Sequence, residues 1–429
     1  MLAAYGHRFQ TKFLDPKDRI FSNLFGEEGA DLASAQKRGD WNQTEELIKK
    51  GKEFILNEVK KSEIRGRGGA GFSTGQKWSF VPKPSGIPHY LCINADEGEP
   101  GTCKDRQILT NEPHKLVEGA LLASYTIHAH TCYVYVRGEF RHEINCLQKA
   151  IDEAYAAGLI GKNNKFGWDF DMYIHSGAGA YVCGEETALL NSIEGKAGRP
   201  RFKPPYPAAK GLFQKPTIIN NVETISSVPT ICKRGGDWFS SIGIKGSKGT
   251  KIYAISGHVN HPCVVEEAMG IPIKDLINKY AGGVRGGWDN LLCLIPGGLS
   301  CPILTKEQCE TAVMGYNELS AMGSALGTGA IIVMDKSTNL CEAFRRVSHF
   351  YMHESCGQCG PCREGTAKLS EIMDKFADGK ATSKDLLMLK KVAYQTSNCI
   401  CALAGAASDP IKGLIKVFRP ELEKACVAE

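Results

Sequence analysis

Three cysteines near the C-terminal end of the chain have the spacing of a metal-binding run. Cys356, Cys359 and Cys362 are separated by two residues each, and the intervening glycines and proline let the backbone bring three sulfurs to one point. A CxxCxxC run with one remote cysteine can supply the four thiolates of a [4Fe–4S] cluster, whereas structural zinc more often takes two separated CxxC pairs or Cys/His mixtures. The sequence therefore predicts a cluster, with zinc or a disulfide as alternatives. The fourth ligand is Cys399 or Cys401, and spacing does not choose between them.

A second stretch, residues 65–78, packs five glycines into ten residues. Without side chains in the way, its backbone amides can approach a phosphate or a flat ring. Arg67, Lys77 and a predicted helix start at Ser73 or Thr74 favour an anion-binding cradle over a plain structural loop. The stretch differs from a standard dinucleotide fingerprint, because a predicted helix and not a strand precedes it.

The elements that position these residues follow from the hydrophobic pattern. Strands are predicted over 89–94, 130–137 and 169–175, and helices over 41–61, 112–128, 141–157 and 183–194. This alternation predicts a parallel sheet covered on both faces, whose ligands lie beyond the carboxyl ends of the strands. Two polar clusters, in 94–99 and 175–187, fall at such ends. The carboxylates of the first would accept hydrogen bonds from ribityl or ribose hydroxyls, or they are solvated turn residues.

Two further segments could complete a nucleotide site. The proline-rich stretch 198–216 is typical of a stiff linker, but Tyr206 with Lys203 could equally wall a nucleotide pocket. Asn220 and Asn221 could hydrogen-bond a heterocycle, and a helix cap by either residue is the alternative.

The composition changes after residues 243–249, and we place a domain boundary there. A hairpin over 250–256 and 262–267, a helix over 272–280, and strands over 290–295 and 329–334 predict a small α+β unit. Helices predicted over 339–355, 363–377, 383–398 and 409–417 then place the cysteine run at helix ends in a bundle. The predicted domains are 1–245, 246–336 and 337–429.

Composition excludes several classes of protein. The 429 residues carry a net charge of +5, too mild to indicate nucleic-acid binding. No run of about 18 uncharged apolar residues is present, so the chain is not expected to span a membrane. With 17 cysteines and no recognisable secretory signal, we expect a reducing compartment. The first fourteen residues contain basic side chains and no acid, as in the remnant of a mitochondrial presequence.

The segments Asp18–Leu24 and Arg38–Trp41 resemble the mitochondrial form of one family more than its bacterial members. In combination, four further motifs resemble that family, the NADH-binding flavoprotein subunit of respiratory complex I. They are Gly66–Phe72, Asn94–Gly101, Gly184–Thr187 and Glu354–Gly365, and the resemblance extends from about Asp18 to Glu423. It implies an α/β fold with a Rossmann-like parallel-sheet domain that binds FMN and NADH. A ubiquitin-like (β-grasp) α+β domain and a C-terminal helical bundle with one [4Fe–4S] cluster would follow.

The resemblance also assigns contacts to individual residues of this chain. The loop that would serve FMN and NADH together is Gly66, Arg67, Gly68, Gly69, Ala70 and Gly71. The flavin would further contact Lys77, Asn94, Asp96, Glu97, Tyr181, Gly184, Glu185, Asn220, Asn221 and Thr224. The nucleotide would contact Phe72, Phe80, Glu99, Glu186, Lys203 and Tyr206, with both phenylalanines stacked on its adenine. The family's last cysteine stands in an Ile-Cys-Ala-Leu context, which implies the cluster ligands Cys356, Cys359, Cys362 and Cys401 and leaves Cys399 as an extra thiol.

The activity implied is that of an NADH:ubiquinone oxidoreductase, a respiratory-chain translocase. NADH would deliver a hydride to FMN, and electrons would pass singly to the cluster and on toward quinone. No side chain is needed as a nucleophile, and Glu97, Glu99 and Glu185 would help to place the hydride transfer. The partners implied are other iron–sulfur subunits of complex I, one smaller and one larger than this chain. The location implied is the matrix side of the mitochondrial inner membrane, or a membrane-associated site in a bacterial cytoplasm.

Two rival functions remain open at this point. A diaphorase subunit of an NAD-linked hydrogenase or formate dehydrogenase looks similar, although such chains often carry added domains. A zinc-stabilised binding module without a redox role would explain the cysteines, but it leaves residues 66–71 and 94–99 unexplained. The first rival predicts a flavin and a cluster, and the second predicts a colourless protein that contains zinc.

Overall fold

A four-stranded parallel sheet forms the centre of the N-terminal half of the molecule. The structure is a computed structural model that describes residues 13–82, 86–397 and 399–428. The strands are β1 (His89–Ala95), β2 (Ala129–Val136), β3 (Asp171–Ser176) and β4 (Thr217–Asn221), in the spatial order β3-β2-β1-β4. Ile93 of β1 pairs in parallel with Val134 of β2 and with Asn220 of β4. The predicted parallel sheet is confirmed, and the carboxyl ends of its strands meet at one edge.

Helices pack on both faces of this sheet. They are α1 (Leu32–Lys37), α2 (Thr44–Lys50), α3 (Lys52–Lys61), α4 (Thr74–Ser79), α5 (Lys104–Asn111), α6 (Pro113–Thr126), α7 (Arg141–Ala156), α8 (Glu186–Ile193), α9 (Pro207–Lys210), α10 (Val222–Arg234) and α11 (Gly236–Ser241). The helix predicted over 41–61 is instead divided into α2 and α3 at Gly51, whose φ of +92° is incompatible with a continuous helix. The predicted linker 198–216 contains the short helix α9. Helix α6 packs against α10, and a side chain at Gly119 would collide with the carbonyl oxygen of Ile225.

The second part of the chain is a mixed sheet with short helices, as the predicted α+β unit requires. Its elements are β5 (Gly243–Ile244), β6 (Ser247–Lys248), β7 (Thr250–Gly257), β8 (Cys263–Ala268), α12 (Ile273–Tyr280), β9 (Leu291–Ile295), β10 (Leu304–Thr305), α13 (Lys306–Cys309), α14 (Tyr316–Ala321) and β11 (Ala330–Asp335). Five strands form a sheet in the order β10-β9-β11-β7-β8, and β5 pairs with β6. The predicted hairpin is β7 with β8, and β11 lies parallel to β7.

The C-terminal part is a helical bundle, as predicted. Its helices are α15 (Leu340–Glu354), α16 (Gly360–Ala377), α17 (Ser383–Gln395), α18 (Leu403–Val417) and α19 (Arg419–Lys424). Helix α18 begins well before the predicted start at residue 409, because buried residues at helical spacing, Leu403, Ala407 and Ile411, continue through Pro410. The cysteine run joins α15 to α16, and the second cysteine pair lies between α17 and α18.

The three parts share their hydrophobic cores. One core lies between the first sheet and its helices and includes Leu91 and Ile225. Another combines Ile219 from the other face of that sheet, Cys293 from the mixed sheet and Leu369 from the bundle. The first sheet and the helical bundle therefore pack against the same hydrophobic core.

Two further expectations concern membranes and targeting. Within the described ranges, no helix is long and apolar enough to cross a membrane. The acid-free N-terminal stretch, interpreted above as the remnant of a presequence, lies almost wholly outside those ranges, since they begin at Phe13.

Glu266 of β8 should make folding stability depend on pH. Its buried carboxylate accepts hydrogen bonds from the amides of Ile20 at 2.9 Å and Phe21 at 2.8 Å, and burial raises its pKa from 4.5 to about 7. An acid with a raised pKa in the folded state favours folding at low pH, and this contribution is lost as the pH rises from about 4.5 to about 7. We expect Glu266→Gln to reduce the fall in unfolding free energy between pH 5 and 8 by on the order of 1–3 kcal/mol. Denaturant unfolding at both pH values measures it, and an unchanged fall would contradict the shifted carboxyl.

Candidate functional site

Five thiols line one recess where the helical bundle meets the first part of the chain. The recess is lined by Pro200, Ser355, Cys356, Gln358, Cys359, Cys362, Cys399, Ile400, Cys401 and Leu403. All 17 cysteines are free thiols. We call this feature the cysteine recess. Among the described residues that line it, sulfur is the donor atom suited to a soft metal, and carboxylate and imidazole groups are absent.

The cysteine run is fixed by local contacts. Cys359 precedes the first residue of α16, and Cys362 lies buried in its first turn. The hydroxyl of Ser355 lies 3.3 Å from the sulfur of Cys362, and the Arg363 guanidinium donates to the carbonyl of Gly357 at 2.8 Å. Gly357 has a φ of +74°, which favours glycine at that turn.

The arrangement of the thiols fits a cluster with several irons. Within the described residues, no three His, Cys, Asp or Glu side chains are placed to hold one metal ion. In a [4Fe–4S] cluster each thiolate binds a different iron, so the sulfurs surround a space and do not converge on one atom. The five cysteines that line the recess can supply thiolates for such a cluster. Both Cys399 and Cys401 line it, so the choice of Cys401 stays a prediction.

The glycine-rich loop lies between α3 and α4. Gly68 and Ala70 are exposed, while Gly71 is buried beneath the ring of Tyr316. Gly69 has a φ of +123°, and the amide of Gly66 donates to the Phe72 carbonyl at 2.8 Å. The predicted helix start is confirmed, since Ser73 caps α4. The loop therefore presents bare backbone along residues 68–70.

Arg67 makes contacts that the sequence did not indicate. Its buried guanidinium donates to the carbonyls of Lys248 at 2.8 Å and Thr250 at 2.9 Å, and its amide donates to the Thr224 hydroxyl at 2.9 Å. Arg67 thus ties the loop to the mixed sheet and to α10. Backbone carbonyls already hold the guanidinium, so the interpretation of the Arg67 side chain as a cation that binds an anion is not supported.

The two asparagines at the end of β4 have different partners. Asn221 caps α10 by accepting from the Glu223 amide at 2.9 Å, so the helix-cap alternative is confirmed for this residue. Asn220 accepts from the indole of Trp78 at 2.8 Å. Hydrogen bonding of a heterocycle by these amides stays a prediction.

The carboxylates after β1 are buried or partly buried, and those of Glu97 and Glu99 are hydrogen-bonded within the fold, which contradicts their interpretation as solvated turn residues. Glu97 accepts from the amides of Asp105 at 2.8 Å and Arg106 at 3.1 Å at the start of α5, and burial raises its pKa to about 7. Glu99 accepts from the Tyr181 hydroxyl at 2.6 Å and from the Ser300 amide at 2.7 Å, and burial raises its pKa as well.

Asp96 differs from its two neighbours because one of its oxygens is unsatisfied. Oδ2 is buried and has no hydrogen-bond partner among the described residues. Burial raises the pKa of this carboxyl to about 7, against the opposing charge of Arg137. A buried polar atom of this kind is expected to meet a donor. A hydroxyl of a bound cofactor would supply that donor.

Gly184 lies beside this oxygen. A methyl group at Gly184 would lie 3.5 Å from the carbonyl and 3.6 Å from Oδ2 of Asp96, in ordinary contact. The Gly184 carbonyl accepts from the side-chain amide of Asn94 at 2.8 Å. The strand end of β1 and the turn before α8 therefore lie side by side. We call the region between them the strand-end crevice.

A chain of ion pairs continues from this crevice. Glu185 caps α8, accepting from Thr187 and Ala188. Lys203 contacts Glu185 at 2.9 Å and Glu186 at 2.7 Å, and Lys77 contacts Glu186 at 3.1 Å. The four predicted charged residues are thus brought together, which joins α4, α8 and the segment before α9.

Aromatic side chains lie exposed on α4 and beside it. Phe72 and Phe80 flank α4, are 48% and 54% exposed, and have ring centroids 6.1 Å apart. Tyr206 is 61% exposed. Exposed aromatic rings next to charged groups can hold a purine by stacking. The stacking of an adenine on Phe72 and Phe80 stays a prediction.

Several residues that the sequence did not single out connect these features. The Tyr181 amide donates to the Glu354 carboxylate at 2.9 Å, and Glu354 lies two residues before Cys356. Lys104 of α5 lies 2.7 Å from Asp105 and 3.0 Å from Glu223, all three buried, and Lys251 of β7 lies 3.5 Å from Glu223. These partners are far apart in the chain, so no local pattern marks them.

Comparison with known families agrees with the division seen in the structure. The Nuo51 FMN-binding domain matches residues 59–230, and the SLBB domain matches residues 251–333. The NADH-ubiquinone oxidoreductase-F iron-sulfur binding region matches residues 342–425, which include the cysteine run and both later cysteines.

Similar proteins are known along nearly the whole chain. The F subunit of NADH-quinone oxidoreductase from Rickettsia bellii (strain OSU 85-389) is 60% identical over 412 residues, 96% of this chain and 99% of that protein. An F subunit of NADH-quinone oxidoreductase from Rhizobium meliloti (strain 1021) is 56% identical over 413 residues, 96% of this chain and 95% of that protein. A structure of NAD⁺-reducing [NiFe]-hydrogenase in the H2-reduced state is similar, with a TM-score of 0.80 and 34% identity over 87% of this chain. This chain spans 62% of that hydrogenase chain.

Proposed function

The chain belongs to the family of NADH-quinone oxidoreductase F subunits, and we propose that the strand-end crevice and the cysteine recess are its two redox sites. It is an NADH dehydrogenase flavoprotein that uses FMN, a [4Fe–4S] cluster and NADH. When bound, FMN joins a two-electron donor to a one-electron acceptor, which is the chemistry that NADH and a cluster require. The task of this chain is to position the flavin, the cluster and NADH.

One observation carries the proposal: the two sites are joined directly. The turn that contains Tyr181 and Gly184 bounds the crevice, and its Tyr181 amide is held by Glu354, two residues before Cys356. Pro200 from the segment after α8 also lines the recess. A flavin in the crevice would therefore lie next to the cluster with no intervening domain, as electron transfer between them requires.

The side chains of the crevice have distinct tasks in this proposal. The unpartnered oxygen of Asp96 accepts a cofactor hydroxyl, and the exposed backbone of residues 68–70 approaches the flavin and its phosphate. Glu97 and Glu99 hold the walls of the crevice through the bonds described above. Glu186 and Lys203, already paired, offer an acceptor and a donor for the ribose and phosphates of NADH.

An anaerobic titration of the full chain with NADH tests the proposal. We expect the flavin absorbance to bleach and the EPR signal of a reduced cluster to develop. A cluster of low potential would leave only the bleaching, and dithionite would then bring out the cluster signal. A chain that contains neither flavin nor iron, and that NADH does not alter, would overturn the proposal.

The aromatic pair should contribute to NADH affinity without affecting the flavin. Because stacking holds the nucleotide equally before and during hydride transfer, we expect the double variant Phe72→Ala/Phe80→Ala to raise KM for NADH about tenfold, near 1.4 kcal/mol, with kcat nearly unchanged. Steady-state assays with ferricyanide as electron acceptor measure this effect.

Phe25→Ala is a suitable control, since Phe25 is 61% exposed and lies outside the crevice. Its KM should stay at the value of the unsubstituted chain. Both phenylalanines of the pair are about half exposed, so thermal unfolding should change little. An unchanged KM in the double variant would show that the adenine binds elsewhere.

We propose that partner subunits and location follow the family. A chain with a single cluster must pass its electrons onward, so the partners proposed are other iron–sulfur subunits of the complex, one smaller and one larger than this chain. Gln358 and Pro361, which lie between the cysteines of the run, are exposed and offer a short path for electrons from the cluster to a partner.

A mitochondrial location on the matrix side, as part of a respiratory translocase, is supported by the acid-free N-terminal stretch, while the relatives named above are bacterial.

Two alternatives have less support. The hydrogenase diaphorase shares the fold at 34% identity, against 60% for the relative from Rickettsia bellii, so we favour the respiratory assignment. The zinc-stabilised module accounts for none of the FMN-binding match over 59–230. The domain limits 1–245, 246–336 and 337–429 are retained as a proposal, because each of the three family matches falls inside one of them.

A further inference from the structure

The cysteine recess contains one thiol more than a cluster can use. A [4Fe–4S] cluster takes four thiolates. Five cysteines line the recess: the three of the run, Cys399 and Cys401. Three of the four corners are supplied by the run, so two thiols are available for the remaining corner.

The two thiols reach the recess from one short segment. Ile400 alone separates them, and residues 399–402 form turns between α17 and α18, outside any helix or strand. Both line the same recess as Cys356, Cys359 and Cys362. A small rearrangement of this segment would exchange one sulfur for the other.

The present contacts of Cys399 are weak. Its sulfur lies 3.7 Å from the Thr396 carbonyl oxygen, the length of a weak sulfur hydrogen bond. Little therefore has to be broken for Cys399 to bind a metal.

We propose that Cys399 is an alternative ligand for the fourth corner of the cluster, able to replace Cys401. In the exchange, the iron–sulfur bond to Cys401 breaks and the bond to Cys399 forms. The proton that Cys399 releases is taken up by Cys401, and no electron is gained or lost. The inference rests on the proposed function, because it requires that a cluster occupies the recess.

Iron and acid-labile sulfide analysis of anaerobically reconstituted full-length chains tests this proposal. We expect Cys401→Ala to retain at least roughly half of the iron and sulfide of the unsubstituted chain and to give a reduced-cluster EPR signal with shifted g values. Cys399→Ala should retain the normal content and the normal signal. The double variant Cys399→Ala/Cys401→Ala should fall to less than about one-tenth, like Cys356→Ala. FMN content, measured on every variant, shows whether the chain has folded.

The outcomes separate this inference from the function on which it rests. A Cys401→Ala chain that binds FMN but is as empty of iron as the double variant would overturn the role of Cys399. An empty Cys399→Ala chain would overturn it too, because Cys399 would then be the regular ligand. If the unsubstituted chain itself assembles no cluster, the proposed function fails first.

Discussion

Replacing Cys356 with alanine is expected to remove the cluster while FMN stays bound. Cys356 lies in the irregular segment before α16 and is only partly buried, so a methyl side chain there costs little packing. Loss of one thiolate leaves an iron without its protein ligand. We expect iron and acid-labile sulfide to fall to less than about one-tenth of the normal content, with the FMN-to-protein ratio unchanged.

Cys341→Ala is the matched control for this variant. Cys341 is also partly buried and lies in α15 of the same bundle, but it is not among the described residues that line the recess. The iron content of the Cys341→Ala variant should remain normal. In Cys356→Ala, NADH should still bleach the flavin, and the EPR signal of the reduced cluster should be missing. Normal iron in Cys356→Ala would remove this thiol from the ligand set.

Much of the architecture could be predicted because its elements are marked by local patterns. Strands such as β1 and β2 contain short apolar runs, 91–93 and 132–136, as buried parallel strands do, and the bundle helices are amphipathic. The cysteine run is equally local, since three ligands come from seven residues. The choice between Cys399 and Cys401 could not be predicted from a local pattern, because it depends on how the segment before α18 packs against the run.

Helix α5 shows why other elements were missed. It begins with Lys104 and Asp105, both charged and both buried, so hydrophobic periodicity gives no sign of a helix that faces the interior. Lys104 also pairs with Glu223, which the chain brings from more than a hundred residues away. Lys251 completes the group from the mixed sheet, and burial lowers its pKa to about 7.

The same limit applies to the glycine-rich loop. Its composition correctly predicted bare backbone, but an arginine in such a loop can either face a ligand or anchor the loop. The carbonyls of Lys248 and Thr250, which decide this for Arg67, belong to another part of the chain. Asn221 is similar, because a cap and a ligand contact require the same side chain at the same strand end. The residue type shows which interactions are possible at such positions, and only the packing shows which partner the side chain contacts.

Filling the strand-end crevice from Gly184 should abolish flavin binding while the cluster persists. A methyl group at this position would make only ordinary contacts, with the backbone oxygen and Oδ2 of Asp96, and its φ lies outside the left-handed region. Gly184→Ala should therefore fold normally. The longer side chain of Gly184→Leu would extend into the space beside the unpartnered Asp96 oxygen, where the cofactor is proposed to lie. We expect FMN affinity to fall at least about 100-fold in Gly184→Leu, equivalent to roughly 2.7 kcal/mol.

The alanine and leucine variants at Gly184 form a graded pair that distinguishes a blocked crevice from a damaged fold. FMN released on denaturation and iron per chain are measured on the same preparations. Because the cysteine recess is formed by the bundle and Pro200, its iron content should remain normal in both variants. NADH should then fail to reduce the cluster in Gly184→Leu, since electrons reach the recess through the flavin. Full FMN occupancy in Gly184→Leu would place the flavin away from Asp96, whereas joint loss of FMN and iron in the leucine variant alone would mean that the crevice and the recess fold as one unit.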